Sequence, residues 1–93
     1  LKALQKLDHN KLKKEEKNID EIAKKINQLS KKYNLTEREI DVLLQITKGL
    51  NNKEIAEELF VSVNTIKYHT RNLYEKLDIK KRTEIASKLM YES

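Results

Sequence analysis

The side chains with the most chemistry to offer lie between Asn64 and Glu75. Counted at about 100° per residue from Ile66, Leu73 and Leu77 fall within about 20° of it and Thr70 within about 40°, which makes a buried stripe. Asn64, Lys67, Tyr68, Arg71 and Glu75 fall on the other side. Four of these five donate hydrogen bonds and two are cations. Arginine or lysine matches guanine O6 and N7, asparagine matches adenine, and an apolar ring packs on a thymine methyl. The face therefore has the chemistry of a major-groove reader. A solvated helix face carries the same residue types, so the face alone leaves both readings open.

The elements that must position this face can be read from their ends. Ser62 is suited to cap a helix running to Leu77, and Asp78 sits where that helix must turn out. Ahead of it, Asn51 and Glu54 make a capping box that opens a short helix to about Phe60, with Ile55, Ala56 and Leu59 inward. A short helix, a tight turn at Val61-Ser62 and a longer polar helix form a helix-turn-helix pattern, and the small Ala56 lets the two helices cross closely. Further upstream, Thr36 and Glu39 make another capping box, opening a helix over 36–48 with Val42, Leu43 and Ile46 as its core stripe. Gly49 ends it, where a left-handed residue is wanted. A last helix over 82–92 points Ile85, Ala86 and Leu89 inward.

Composition agrees. The chain has 93 residues, no proline and one glycine, so an all-α fold is expected. No cysteine is present, which excludes thiol chemistry, disulfides and Cys-ligated zinc. His9 and His69 are far apart with no ligand-like neighbours, so no metal or other cofactor is expected. The longest apolar runs are three residues, such as Val42-Leu43-Leu44. A membrane span needs roughly 18, so none is expected, and no signal peptide is visible. The chain opens on Leu rather than Met, as expected of a fragment of something longer.

Net charge is +5, and it is unevenly placed. Residues 1–35 hold ten lysines against five acids, net +5, and residues 36–93 are neutral. Within that half, residues 36–61 carry −3, while residues 62–82 carry +4 through Lys67, Arg71, Lys76, Lys80, Lys81 and Arg82 against Glu75 and Asp78. An acidic segment followed by a basic one gives the domain an oriented field.

Residues 2–33 read as one helix, a linker or dimer helix rather than a core helix. Ile19, Ile22, Ile26, Leu29 and Tyr33 are spaced as an a/d seam for about two heptads. Residues 13–18 are entirely polar, and Asn34 is a suitable stop. Ile40 and Leu44 lie on one face beside the core stripe of the following helix. Three arrangements are open: the seam folds back on Ile40 and Leu44, it pairs with a second copy, or it stays unpacked.

Four ordered blocks now carry a resemblance. Leu35-Thr36-Glu37-Arg38-Glu39, Gly49-Leu50-Asn51-Asn52-Lys53-Glu54-Ile55-Ala56, Val63-Asn64-Thr65-Ile66-Lys67-Tyr68-His69 and Lys76-Leu77-Asp78-Ile79 resemble the LuxR-type (GerE-like) helix-turn-helix family over about 35–90. The resemblance implies a four-helix domain at 34–93 behind a linker or coiled-coil helix at 1–33. It implies a cytoplasmic, non-enzymatic DNA-binding output module of a bacterial transcription regulator, including the response regulators, with double-stranded DNA as partner. Carried over by position, base contacts fall to Lys67, Tyr68 and Arg71, and phosphate contacts to Asn64, Thr65, Lys53 and Asn52. Ala86, Leu89 and Met90 of the last helix become the implied contact of a homodimer on DNA, with Ile19, Ile22 and Ile26 of the seam as the alternative. Contact with RNA polymerase or a partner regulator is a competing role for the same fold. The sequence departs from the family pattern in places. Asp78 stands where glycine is usual, Lys81 where a small capping residue would start the last helix firmly, Ile40 and Leu44 where polar residues are common, and Gln45 where an apolar one is.

The remaining residues have plainer readings. His69 is expected half-buried and hydrogen-bonded, and Tyr74 at the core edge. Tyr33 and Tyr91 are expected only to pack at helix ends. Glu54, Glu57 and Glu58 lack a nucleophile or metal ligand beside them and read as a solvated face. The Lys-rich first helix has no Trp or Phe to anchor it in a membrane surface.

Overall fold

The computed structural model describes residues 21–91. Among them are five helices and no strand: α1, helical over 21–33 within the described residues; α2, Glu37–Thr47; α3, Asn52–Leu59; α4, Val63–Leu77; and α5, Glu84–Tyr91. The expected all-α architecture is the one observed. Residues 1–20 lie outside the description, and with them His9, the polar stretch 13–18 and Ile19 of the seam.

The expected helix starts are made by side chains. Thr36 Oγ1 accepts from Glu39 N at 3.2 Å, and Glu39 Oε1 accepts from Thr36 N at 2.9 Å. Asn51 and Glu54 exchange the same pair at 2.9 and 3.0 Å. Ser62 Oγ accepts from Thr65 N at 3.1 Å. Each satisfies amides that the first helical turn leaves without partners.

The first four helices stop in one way. Asn34, Gly49, Phe60 and Asp78 each have φ between 54° and 86°. The amide after each reaches back across the helix end: Leu35 to Ser30, Leu50 to Gln45, Val61 to Ala56 and Ile79 to Tyr74, at 3.0 to 3.3 Å. This is the left-handed cap in which the next residue is apolar and folds against the helix. Leu35, Leu50, Val61 and Ile79 are all apolar, so every reversal also feeds the core.

The start of α5 differs from expectation. It begins at Glu84 rather than 82, and it is clamped rather than loose. The Glu84 carboxylate accepts from Lys80 N at 2.6 Å and Lys81 N at 3.0 Å. Those two backbone bonds hold its pKa below the ordinary carboxylate value. Sequence pattern looked for a small cap at Lys81; the cap is supplied from three residues downstream.

α4 packs against both α2 and α3, which also touch each other. Val42, Leu43, Ile46, Ile55, Ala56, Ile66, Leu73 and Leu77 fill the space between them, and Leu35, Ile79 and Ile85 close it. Ile26 of α1 belongs to the same core, with Tyr33, Ile40 and Leu44 packed against it, and Leu29 is wholly buried. α1 thus folds back on the domain, the first of the three open arrangements. The chain reverses at Asn34, and the apolar packing crosses that turn. Ile26 is therefore corrected as a dimer contact: it is enclosed by the chain's own core. Two further expectations fail in α5. Ala86 is exposed rather than inward, and Tyr91 is 81% exposed rather than packed. Tyr33 behaves as expected and more, since Lys88 Nζ donates to its hydroxyl at 3.3 Å and the Lys32 and Lys88 ammonium groups each lie 5.4 Å from its ring centroid.

Candidate nucleic-acid interface

α4 presents two unlike faces. Ile66, Leu73 and Leu77 are enclosed, with Thr70 half-buried beside them. Asn64, Lys67, Tyr68, Arg71 and Glu75 are all exposed. The helix is 15 residues long, about 22 Å at a rise of 1.5 Å per residue, enough to lie along a major groove. The side chains read as base contacts thus stand on one ridge, on a helix that the core prevents from turning. The Tyr68 and His69 rings meet in a T-shaped arrangement, with ring centroids 5.4 Å apart. His69 is half-buried as expected.

The expected phosphate ligands gather at two helix starts. Asn52 and Lys53 open α3, and Asn64 and Thr65 open α4. Lys53 and Asn64 are exposed, Asn52 and Thr65 half-buried. The Thr65 hydroxyl shares a 2.9 Å hydrogen bond with Ser62 Oγ. Amides at a helix start favour an anion, and α3 and α4 are packed together, so these donors belong to one rigid unit.

Two contacts that fix this unit carry no full sequence signal, and neither does one exposed side chain. Glu39 is only 2% exposed, yet charged. Its Oε1 accepts from Lys76 Nζ at 2.7 Å, and the same ammonium donates to the Asn34 carbonyl at 3.1 Å. Burial works to raise the Glu39 pKa, but the Lys76 and Thr36 bonds and the Lys76 charge outweigh it and hold it below the ordinary value. This ties the far end of α4 to the start of α2 and the turn after α1. The second contact is Arg82 Nη2 donating to the Leu50 carbonyl, which ties the approach to α5 to the residue before the Asn51 cap. Arg82 also faces Tyr74, whose hydroxyl burial pushes up in pKa while the guanidinium opposes. The exposed side chain is Phe60, whose ring lies in water. Only Glu39 had a sequence signal, in its capping box; partners 37 and 32 residues apart leave none.

The model of the luxR family of bacterial regulatory proteins matches residues 33–89. The chain belongs to the luxR family of bacterial regulatory proteins. As a luxR-family domain it is a DNA-binding output domain of transcription regulators, a class that is not an enzyme class. It is similar to the transcriptional regulatory protein LnrK of Bacillus subtilis, at 46% identity over 82 residues, which are 88% of this chain and 36% of that protein. It is also similar to the transcriptional regulatory protein LiaR of Bacillus subtilis, 48% identical over 56% of this chain and 25% of that protein. A third relative is the nitrate/nitrite response regulator protein NarP of Escherichia coli, 46% identical over 61% of this chain and 26% of that protein. The luxR-family chain thus spans about a third or less of the relatives it matches. Among the described residues no helix is long and apolar enough to cross a membrane, and no group of three or more His, Cys, Asp or Glu could hold a metal ion.

Proposed function

We propose that α4 reads sequence in the major groove of double-stranded DNA, with Lys67, Tyr68 and Arg71 on base edges and Asn64, Thr65, Asn52 and Lys53 on phosphates. The single observation carrying this reading is the two-faced α4, whose polar ridge is exposed while its other side is locked in the core. The functional domain is 34–93, and 1–33 is a linker whose end docks on it. One reading helix contacts few bases, so two domains bind half-sites about one helical turn apart. Ala86 and Met90, both exposed, and the half-buried Leu89 form the contact between copies on DNA, with Ile22 beside them. The setting is the cytoplasm, the partners are DNA and RNA polymerase, and the longer protein is a response regulator like several of its relatives.

Selection from random duplexes tests site and symmetry together, and a single half-site would remove the dimer. Arg71→Ala should cost about 1–3 kcal/mol on the selected site and relax preference at one base pair. Equal losses on selected and random DNA would make Arg71 a phosphate contact and defeat the base-reading assignment.

A further inference from the structure

Phe60 has no part in the reading face, and it is the most exposed large hydrophobic residue among those described, at 92%. With Leu50, Glu54, Glu57 and Glu58 it borders a shallow hollow of about 320 Å³ on the outer side of α3. Glu57 and Glu58 are exposed. An aromatic ring held in water contributes nothing to the core, and neighbouring carboxylates repel phosphate. This face is therefore unsuited to lie on phosphates when α4 is in the groove. We propose that Phe60, rimmed by Glu57 and Glu58, is the docking surface for a basic protein surface of the transcription machinery on adjacent DNA. The inference rests on the proposed contact with RNA polymerase and names where on this chain it is made.

Three physical points select that occupant. Protein surfaces that sit on nucleic acid are basic, which complements the acidic rim. Large side chains seated in desolvated pockets carry most of the energy of an interface, and an exposed aromatic ring is of that kind. So small a contact is weak alone, but two proteins on one duplex meet at high effective concentration, and a weak contact then suffices.

The test uses the whole chain, DNA carrying the selected site beside a promoter, and purified bacterial RNA polymerase holoenzyme as probe. Affinity for the site is measured with and without polymerase. Polymerase should tighten binding of the unaltered chain. Phe60→Asn keeps a residue at ease in left-handed backbone, so it folds. It should lose about tenfold of that gain, the scale of an anchor residue, with affinity for DNA alone unchanged. Glu57→Lys with Glu58→Lys should lose the gain as well; Glu54 is left alone because it caps α3. If both variants keep the gain, the surface is wrong while the polymerase contact stands. If the unaltered chain shows no gain, the polymerase contact fails and the surface with it. If Phe60→Asn weakens binding without polymerase, Phe60 is a DNA contact and the docking role is overturned.

Discussion

α3 and α5 are both eight residues long, yet the molecule uses them differently. α3 opens on a reciprocal capping box, packs along α4 and buries Ile55 and Ala56. Its outer face is charged. α5 buries only Ile85 within its span, is held at its start by the Glu84 clamp, and exposes Met90 at 65% and Tyr91. The groove between α1 and α5, lined by Ile22, Ile85, Leu89 and Met90 among others, is mostly apolar. Equal length thus carries opposite designs. One helix is fixed deeply so that its N-terminus and α4 keep their positions. The other leaves apolar surface uncovered.

The largest effects should come from breaking the deeper anchorage. Ile55→Ala removes a wholly buried side chain and should cost about 2–5 kcal/mol in urea unfolding. Leu89→Ala in half-buried α5 should cost about 1–2 kcal/mol, since less transfer energy and a smaller cavity are involved. Equal losses would mean that the two helices are held alike.

The converse change targets association. Met90→Asp alters an exposed side chain, so stability should stay within about 0.5 kcal/mol. Binding to a paired site should weaken by about a hundredfold, the contribution of linking two binding events, while binding to one half-site is unchanged. A single half-site that weakens equally would place Met90 outside any contact between copies.

An intermediate effect belongs to the tie that holds α4 from its far end. Lys76→Ala strands the Glu39 carboxylate in a nearly closed site and should cost about 1–3 kcal/mol. The pH dependence has a definite sign. Glu39 has a folded pKa below its ordinary 4.5, so its contribution is present above that value and fades as pH falls through the lower, folded one. Acid unfolding curves of the intact chain and Lys76→Ala should therefore converge at low pH. Curves that stay parallel down to pH 2 would detach the stability from this pair.

What was legible in the sequence follows the same division. The starts of α2, α3 and α4 were, because a capping box is a local pattern three residues wide, and so was the buried stripe of α4, because 3.6-residue periodicity is local too. The candidate reading ridge followed as the complement of that stripe. The start of α5 was misread because the clamping carboxylate lies inside the helix, downstream of where a cap is sought. The packing of α1 could only be narrowed to three arrangements, since an apolar seam says that something covers it and not what. The Lys76–Glu39 and Arg82–Leu50 ties join residues more than 30 apart, and no spacing rule reaches that far.

A smaller effect than that of Lys76→Ala runs the other way, toward greater stability, and it separates one helix end from the rest. Asn34, Gly49 and Asp78 are residue types that accept left-handed backbone, and they end α1, α2 and α4. Phe60 ends α3 at φ 56° with a bulky Cβ substituent, where an ordinary L-residue costs about 1–2 kcal/mol. Its ring lies in water, so replacing it forfeits almost no burial. Phe60→Asn should keep the bond from Val61 N to the Ala56 carbonyl, relieve part of the backbone cost, and raise stability by about 0.5–1 kcal/mol. Asp78→Asn, which exchanges one tolerant residue for another, should change stability by less than about 0.5 kcal/mol. Urea midpoints of the two variants decide the matter. A loss of stability in Phe60→Asn would mean that the ring contributes to the fold, whereas a gain would mean that the backbone cost at this helix end exceeds anything the ring returns to the fold.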